Sequence, residues 1–210
     1  MAVKPHAAVW SPDAPTSAQL KELFAQIDSG RITRERLQSF LCGDRRLFSI
    51  WKTIKLGTGL RTADDFRSAL KEKGCRISNW ANDLLGQPGF TAATEEMAVD
   101  LAVATTAQLT GNPGGGTTAQ VFAGANRLGL AKCPAEVGPQ LRIQYPDQPS
   151  GEWLLIGMEP IADSDGRLRV FSVGRGDSAS WLDAYYGYPG GFWSPDRQWA
   201  FVRPRPSTRA

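Results

Sequence analysis

The chain has a single histidine, His6, in 210 residues, and it stands in a proline-bearing N-terminal stretch. One imidazole excludes a histidine-rich metal site. It also excludes Ser-His-Asp and Cys-His catalysis unless that stretch folds back onto a site. Cysteine is scarce too: three residues, at positions 42, 75 and 133, with no CxxC pair. An odd count at wide spacing is no disulfide framework and points to a reducing compartment, so the cytoplasm is the expected location. No apolar run approaches the ~18 residues of a membrane span. Residues 1–15 also lack the apolar centre of a signal peptide, so no membrane partner is expected. Net charge is only +3, with basic residues interleaved among acidic ones, so no basic face nominates nucleic acid. The one local excess, Arg203, Arg205 and Arg209 around Pro204 and Pro206, reads as a frayed, solvated tail.

What is present is ordinary globular material: 41% hydrophobic and 21% charged residues. A chain of this length buries roughly 70% of its unfolded surface and needs neither metal nor disulfide to hold a core. Residues 1–15 read as a loose arm. Leu20, Leu23, Phe24 and Ile27 share one helix face, with Thr16 and Gln19 placed for a capping box. A second short helix with Leu37, Phe40 and Leu41 completes a helical hairpin over 16–45. Residues 47–56 favour a strand. Thr62 to Asp65 is a capping box opening a helix with Phe66, Ala69 and Leu70 on one face, and residues 79–85 form another helical turn. Residues 99–109 read as a strand running into a turn, and Thr117 to Leu128 as a helix. From about residue 134 the pattern is strand-like: 141–145, 152–161, 167–173, 180–186 and 198–203, with Asp165-Gly166 as a hairpin turn. The fold expected is α+β: an N-terminal helical hairpin, a mixed middle segment and an antiparallel, β-rich C-terminal half. The core domain spans 46–204 and a tail covers 205–210.

The stretches TADDFRSALKEKGCRISNWANDLLG, CPAEVGPQLRIQYPDQPSGEWLLIGMEPIADSDG and FWSPDRQWAFVRP resemble a group of uncharacterised bacterial proteins from candidate-phylum and metagenomic genomes. The similarity covers most of residues 48–204. It implies a bacterial source and brings no activity with it.

Several motifs could carry chemistry. Gly114 to Ala119 matches G-x-G-x-x-A, the form of a phosphate-cradling turn, but lacks a repeated βαβ context. No cofactor is expected. Asp163-Ser164-Asp165-Gly166 starts like a calcium loop without its remaining ligands, so no metal is expected either. With imidazole missing, carboxylates are the simplest enzymatic route. Glu136 and Glu159 are the acid and base or nucleophile candidates, with Glu152 in reserve. Arg142 or Arg169 could pair with Glu159. Aromatic side chains crowd the same half, among them Trp181, Tyr185, Tyr188, Phe192 and Trp199. Trp153, Tyr186 and Trp193 are the candidates for stacking on a sugar, with Arg142 as a polar contact. The segment YYGYPGGFW, residues 185–193, packs five aromatics into a turn-rich loop. The function expected is therefore a carbohydrate-active protein with a small sugar ligand, and a glycoside hydrolase if it is an enzyme. The alternatives are a non-catalytic protein- or peptide-binding module and a nucleotide-handling enzyme using the glycine-rich loop. The oligomeric state is left open.

Overall fold

A computed structural model of the chain describes residues 16–34, 37 and 48–205. The expected N-terminal arm with His6, all of the second hairpin helix except Arg34 and Leu37, Cys42 and Arg209 lie outside the described residues. The chain divides into two units, residues 1–45 and 46–210. In the first, helix α1 spans Ser17–Asp28, and Thr16 and Gln19 form the expected capping box.

The second unit is α+β. Its strands are β1 (Lys52–Leu56), β2 (Arg76–Ile77), β3 (Met97–Thr105), β4 (Gly116–Thr117), β5 (Trp153–Ile156), β6 (Ile161–Ala162), β7 (Leu168–Arg175), β8 (Ser180–Tyr186), β9 (Phe192–Trp193) and β10 (Gln198–Val202). Its helices are α2 (Ala63–Glu72), α3 (Asn79–Gly86), α4 (Thr106–Thr110), α5 (Thr118–Arg127) and α6 (Val137–Gln144). One sheet runs β1-β3-β10-β5-β7-β8-β2, with β6 paired to β7, while β4 and β9 form a separate two-stranded ribbon. The sheet is mixed rather than antiparallel, because β10 lies parallel to β5 and β2 parallel to β8. It also recruits β1 and β3 from the middle segment, so the C-terminal strands do not form a sheet of their own.

Alternation along the strands sorts the core into two layers. On one face Phe171 meets Phe90, which in turn meets Phe66 of α2, and α6 crosses here with Gly138 against the Phe171 ring. On the other face Trp199 and Phe201 of β10 pack against Phe122 of α5, and the Trp199 indole donates to Thr106 Oγ1 of α4.

The expected strand over 141–145 is the main correction. It is helix α6, and every residue from Val137 to Arg142 is buried. A helix covered on all sides shows no 3.6-residue alternation, and LRIQY then imitates a strand. Pro139 sits in its first turn, where no N–H is required of it. The expected strand 152–161 is two short strands broken at Gly157, where an added Cβ would lie 2.2 Å from the Phe201 ring.

The tail also departs from expectation. The Arg203 N–H donates to the Asp100 carbonyl, and the Arg205 guanidinium forks onto both Asp100 carboxylate oxygens at 2.8 and 3.0 Å. Thr53 Oγ1 donates to the same carboxylate. The Arg205 and Thr53 hydrogen bonds hold Asp100 down at about 2. A depressed carboxylate pKa stabilises the fold above the unfolded value of ~3.9, and that contribution disappears as pH falls from about 4 through about 2. Thermal unfolding between pH 5 and pH 2 should therefore show Asp100→Asn losing less stability with acid than the parent. Parallel acid profiles would remove Asp100 as a source of the dependence.

Candidate functional site

The strand register gathers the aromatic side chains that the sequence leaves scattered. Trp153 of β5 pairs with Gly174 of β7, which pairs with Trp181 of β8. One step of two residues along, Leu155 pairs with Ser172 and Ser172 with Asp183; the next step places Val170 against Tyr185. With a period of two, Trp153, Gly174, Trp181, Ser172, Asp183 and Tyr185 all share the sheet face that carries Trp199. Trp193, on β9, closes over it with its ring 5.1 Å from Trp199 and 6.3 Å from Tyr185. Its indole N–H is fixed by Thr118 Oγ1 at 2.8 Å. Trp153, Trp181, Asp183, Tyr185 and Trp193 are all half-buried, so this stretch of sheet is only partly roofed.

Trp153 lies on the sheet because Gly174 has no side chain. A Cβ there would fall 2.2 to 2.5 Å from three atoms of the indole. Beside the ring opens a cleft of about 510 Å³ bordered by Gly151, Glu152, Trp153, Ser194, Asp196, Arg197 and Gln198. The far wall is rigid: the Pro195 and Arg197 carbonyls accept the first N–H groups of α4. The Ser194 hydroxyl, with the backbone N–H and Arg197, lowers the Asp196 pKa from the ordinary aspartate value, so Asp196 is an anion. The Arg197 guanidinium lies 5.5 Å from the Tyr185 ring. Oε2 of Glu152 is buried and, among the described residues, has no hydrogen-bond partner. The neighbouring Tyr145 phenol is pushed up to about 12, first by burial and then by Glu152, so it remains a donor. Ser172 Oγ is likewise buried and without a partner among the described residues.

The structure does not bring the nominated carboxylates together. Glu136 is 1% exposed, and its oxygens are taken up by the Gly57 N–H, the Ala93 N–H and the Gln140 amide. It has no free edge for a substrate. Glu159 is exposed and paired with Lys132, rather than with Arg142 or Arg169. It borders a 260 Å³ cleft with Phe122 and a 560 Å³ cleft with Cys133 and Asp163. Glu136 lines none of the three clefts. Glu152 alone joins an aromatic candidate, Trp153.

The other nominated contacts divide. Trp193 reaches the aromatic face, whereas Tyr186 points to the opposite one, where it meets Arg169. Arg142 is no surface donor: it is buried and bonds to Gln148, the Tyr145 carbonyl and the Gly174 carbonyl, and burial lowers its pKa from the arginine value. Residues 185–193 are not irregular throughout, since 185–186 close β8 and 192–193 are β9.

The glycine-rich segment offers no phosphate cradle. The N–H groups of Thr118, Ala119 and Gln120 are bonded to Gly191 O, Pro189 O and Thr117 Oγ1. The Asp163 loop folds onto itself, with Asp163 Oδ1 accepting from the Asp165 and Arg167 amides. Asp183, Asp196, Arg197 and Gly174 were not singled out from sequence. The alternation in SWLDAYY already places Trp181, Asp183 and Tyr185 on one face, but only the strand register sets Gly174 under Trp153. Among the described residues, no helix is long and apolar enough to cross a membrane. Compared with models of protein families, curated proteins and solved structures, the chain matches none.

Proposed function

We propose that this chain is a carbohydrate-recognition protein that stacks a saccharide ring on Trp153 within the cleft bordered by Glu152, Ser194, Asp196, Arg197 and Gln198. The observation that carries this is the indole laid flat on Gly174 beside a polar cleft. A flat apolar ring next to carboxylate, hydroxyl and guanidinium groups suits a ligand whose faces are C–H and whose rim is hydroxyl. Charged acceptors and donors give the hydrogen bonds that orient such a rim. Glu136 held by backbone amides favours recognition over the hydrolysis that would have paired it with Glu159.

A hydrolytic second reading rests on a different pair. Glu152 and Asp196 are two acidic residues bordering one cleft, Asp196 exposed and Glu152 with Oε2 buried beside Tyr145. Calorimetric titration with a panel of neutral oligosaccharides tests the proposal, with aryl glycoside turnover followed on the same preparations. Saturable binding that weakens about tenfold or more in Trp153→Ala is expected, corresponding to ~1.4 kcal/mol of lost stacking. Turnover abolished by Glu152→Gln or Asp196→Asn would establish the hydrolytic form. Binding of no saccharide, or binding indifferent to Trp153→Ala, would remove the site.

A further inference from the structure

The opposite face of the sheet carries a separate feature that the saccharide site does not use. Arg169 of β7 is fully buried, and its Nε donates to Asp163 Oδ2 at 2.6 Å. Its Nη1 and Nη2 are buried and have no hydrogen-bond partner among the described residues. A guanidinium carries five donors, and a buried one is ordinarily satisfied on each edge. Here Asp163 takes the Nε edge only, its second oxygen being committed to the Asp165 and Arg167 amides. Two rings close over the remainder: the guanidinium carbon lies 4.1 Å from the Trp80 centroid and 4.5 Å from that of Tyr186.

Those rings form the protein surface. Trp80 is 47% exposed and Tyr186 46%, while Arg169 in contact with both rings is fully buried. Tyr188, also exposed, stacks on Tyr186 at 5.9 Å and extends the aromatic patch. Trp80 is the second residue of α3 and Tyr186 the last of β8, positions where a side chain can swing without disturbing a ladder.

We propose that the Trp80–Arg169–Tyr186 cluster is a binding site for an oxyanion, a carboxylate or phosphate group carried on an aromatic or other flat body. The two Nη groups supply paired N–H donors that fit two oxygens of such a group. The Nε–Asp163 bond fixes the plane of the fork, and Trp80 is the cover that moves aside. The flat body then stacks against Tyr186 and Tyr188. An unpaired guanidinium edge beneath exposed rings selects an anionic ligand over a cationic one, since the rings already hold a cation.

The test is nitrogen-detected NMR of the arginine side chains of the whole chain during titration with phenyl phosphate and, separately, with benzoate. The Arg169 Nε–H signal should shift saturably with at least one of them, and which one identifies the oxyanion. Calorimetry should show affinity rising several-fold in Trp80→Ala, where the cover is gone. It should fall at least tenfold in Arg169→Lys, which keeps the charge but loses the fork. The NMR readout needs no variant, so a misfolded Arg169→Lys leaves the test intact. Failure of both ligands to move the Arg169 signal in the parent and in Trp80→Ala would overturn the proposal. So would equal affinity in a folded Arg169→Lys. Saccharide binding at Trp153 is read independently, so either site can fail alone.

Discussion

Glu136→Gln should lower the unfolding free energy by about 2–4 kcal/mol, with a matching fall in the urea midpoint at unchanged slope. The carboxylate binds two backbone amides and one side-chain amide. Oε1 accepts from the Gly57 N–H at 2.9 Å and from Gln140 at 3.1 Å, while Oε2 accepts from the Ala93 N–H at 2.7 Å. A glutamine keeps one acceptor oxygen and turns its amide donors toward the other backbone N–H. One buried donor is then unpaired, at ~1–3 kcal/mol, and a charge-assisted bond is exchanged for a neutral one. The backbone has little room to retreat. Gly57 has φ +65°, and its Cα lies against the Glu95 carbonyl so closely that a Cβ would be 2.0 Å from that oxygen. Glu136→Ala, which leaves both N–H groups without an acceptor, should cost more than the glutamine variant. Saccharide affinity should be unchanged in Glu136→Gln at temperatures where it is folded. An unaltered midpoint with lost turnover would instead return Glu136 to a catalytic role.

Glu136 also shows why part of the molecule is legible in sequence and part is not. A local feature is written locally. The Thr62–Asp65 capping box sits on α2 as the spacing requires, and Asp65 is held below its usual pKa by the Arg61 and Thr62 amides it accepts from. Alternation in SWLDAYY marks β8 to the residue. The failures are long-range. Helix α6 is masked because burial on every side erases its periodicity. Glu136 looked like a spare carboxylate because its partners are backbone amides 79 and 43 residues away, and amides carry no sequence signature. Arg142 looked like a surface donor because nothing nearby in sequence reports that the Gly174 carbonyl, 32 residues on, receives it. In the candidate site, Trp153 and Trp193 could be nominated from type alone. Asp196 and Arg197 could not, because their place beside Trp153 depends on β10 running parallel to β5.

Gly174→Ala should abolish most saccharide binding at modest cost to stability, which separates the platform from the fold. Alanine in place of glycine in a strand ordinarily gains ~0.5–1 kcal/mol from the unfolded chain. Here the new methyl would meet the Trp153 indole at 2.2 to 2.5 Å, well inside van der Waals contact. What yields decides the outcome. The obstruction is a half-buried side chain at the edge of a cleft rather than backbone, so the indole is expected to lift off the sheet. Overpacking relieved in this way costs toward the low end of the usual ~1–3 kcal/mol, partly offset by the backbone gain. The flat platform, by contrast, is lost outright, and affinity should fall about tenfold, as far as in Trp153→Ala. The double variant settles the cause. If Gly174 acts through the indole, Trp153→Ala removes the clash, so Gly174→Ala added to it should lower affinity no further and should carry no packing penalty. A double variant whose losses simply add would place the Gly174 effect elsewhere. The Gly174 carbonyl is the natural alternative, because it accepts from Arg142 and ties α6 to the sheet.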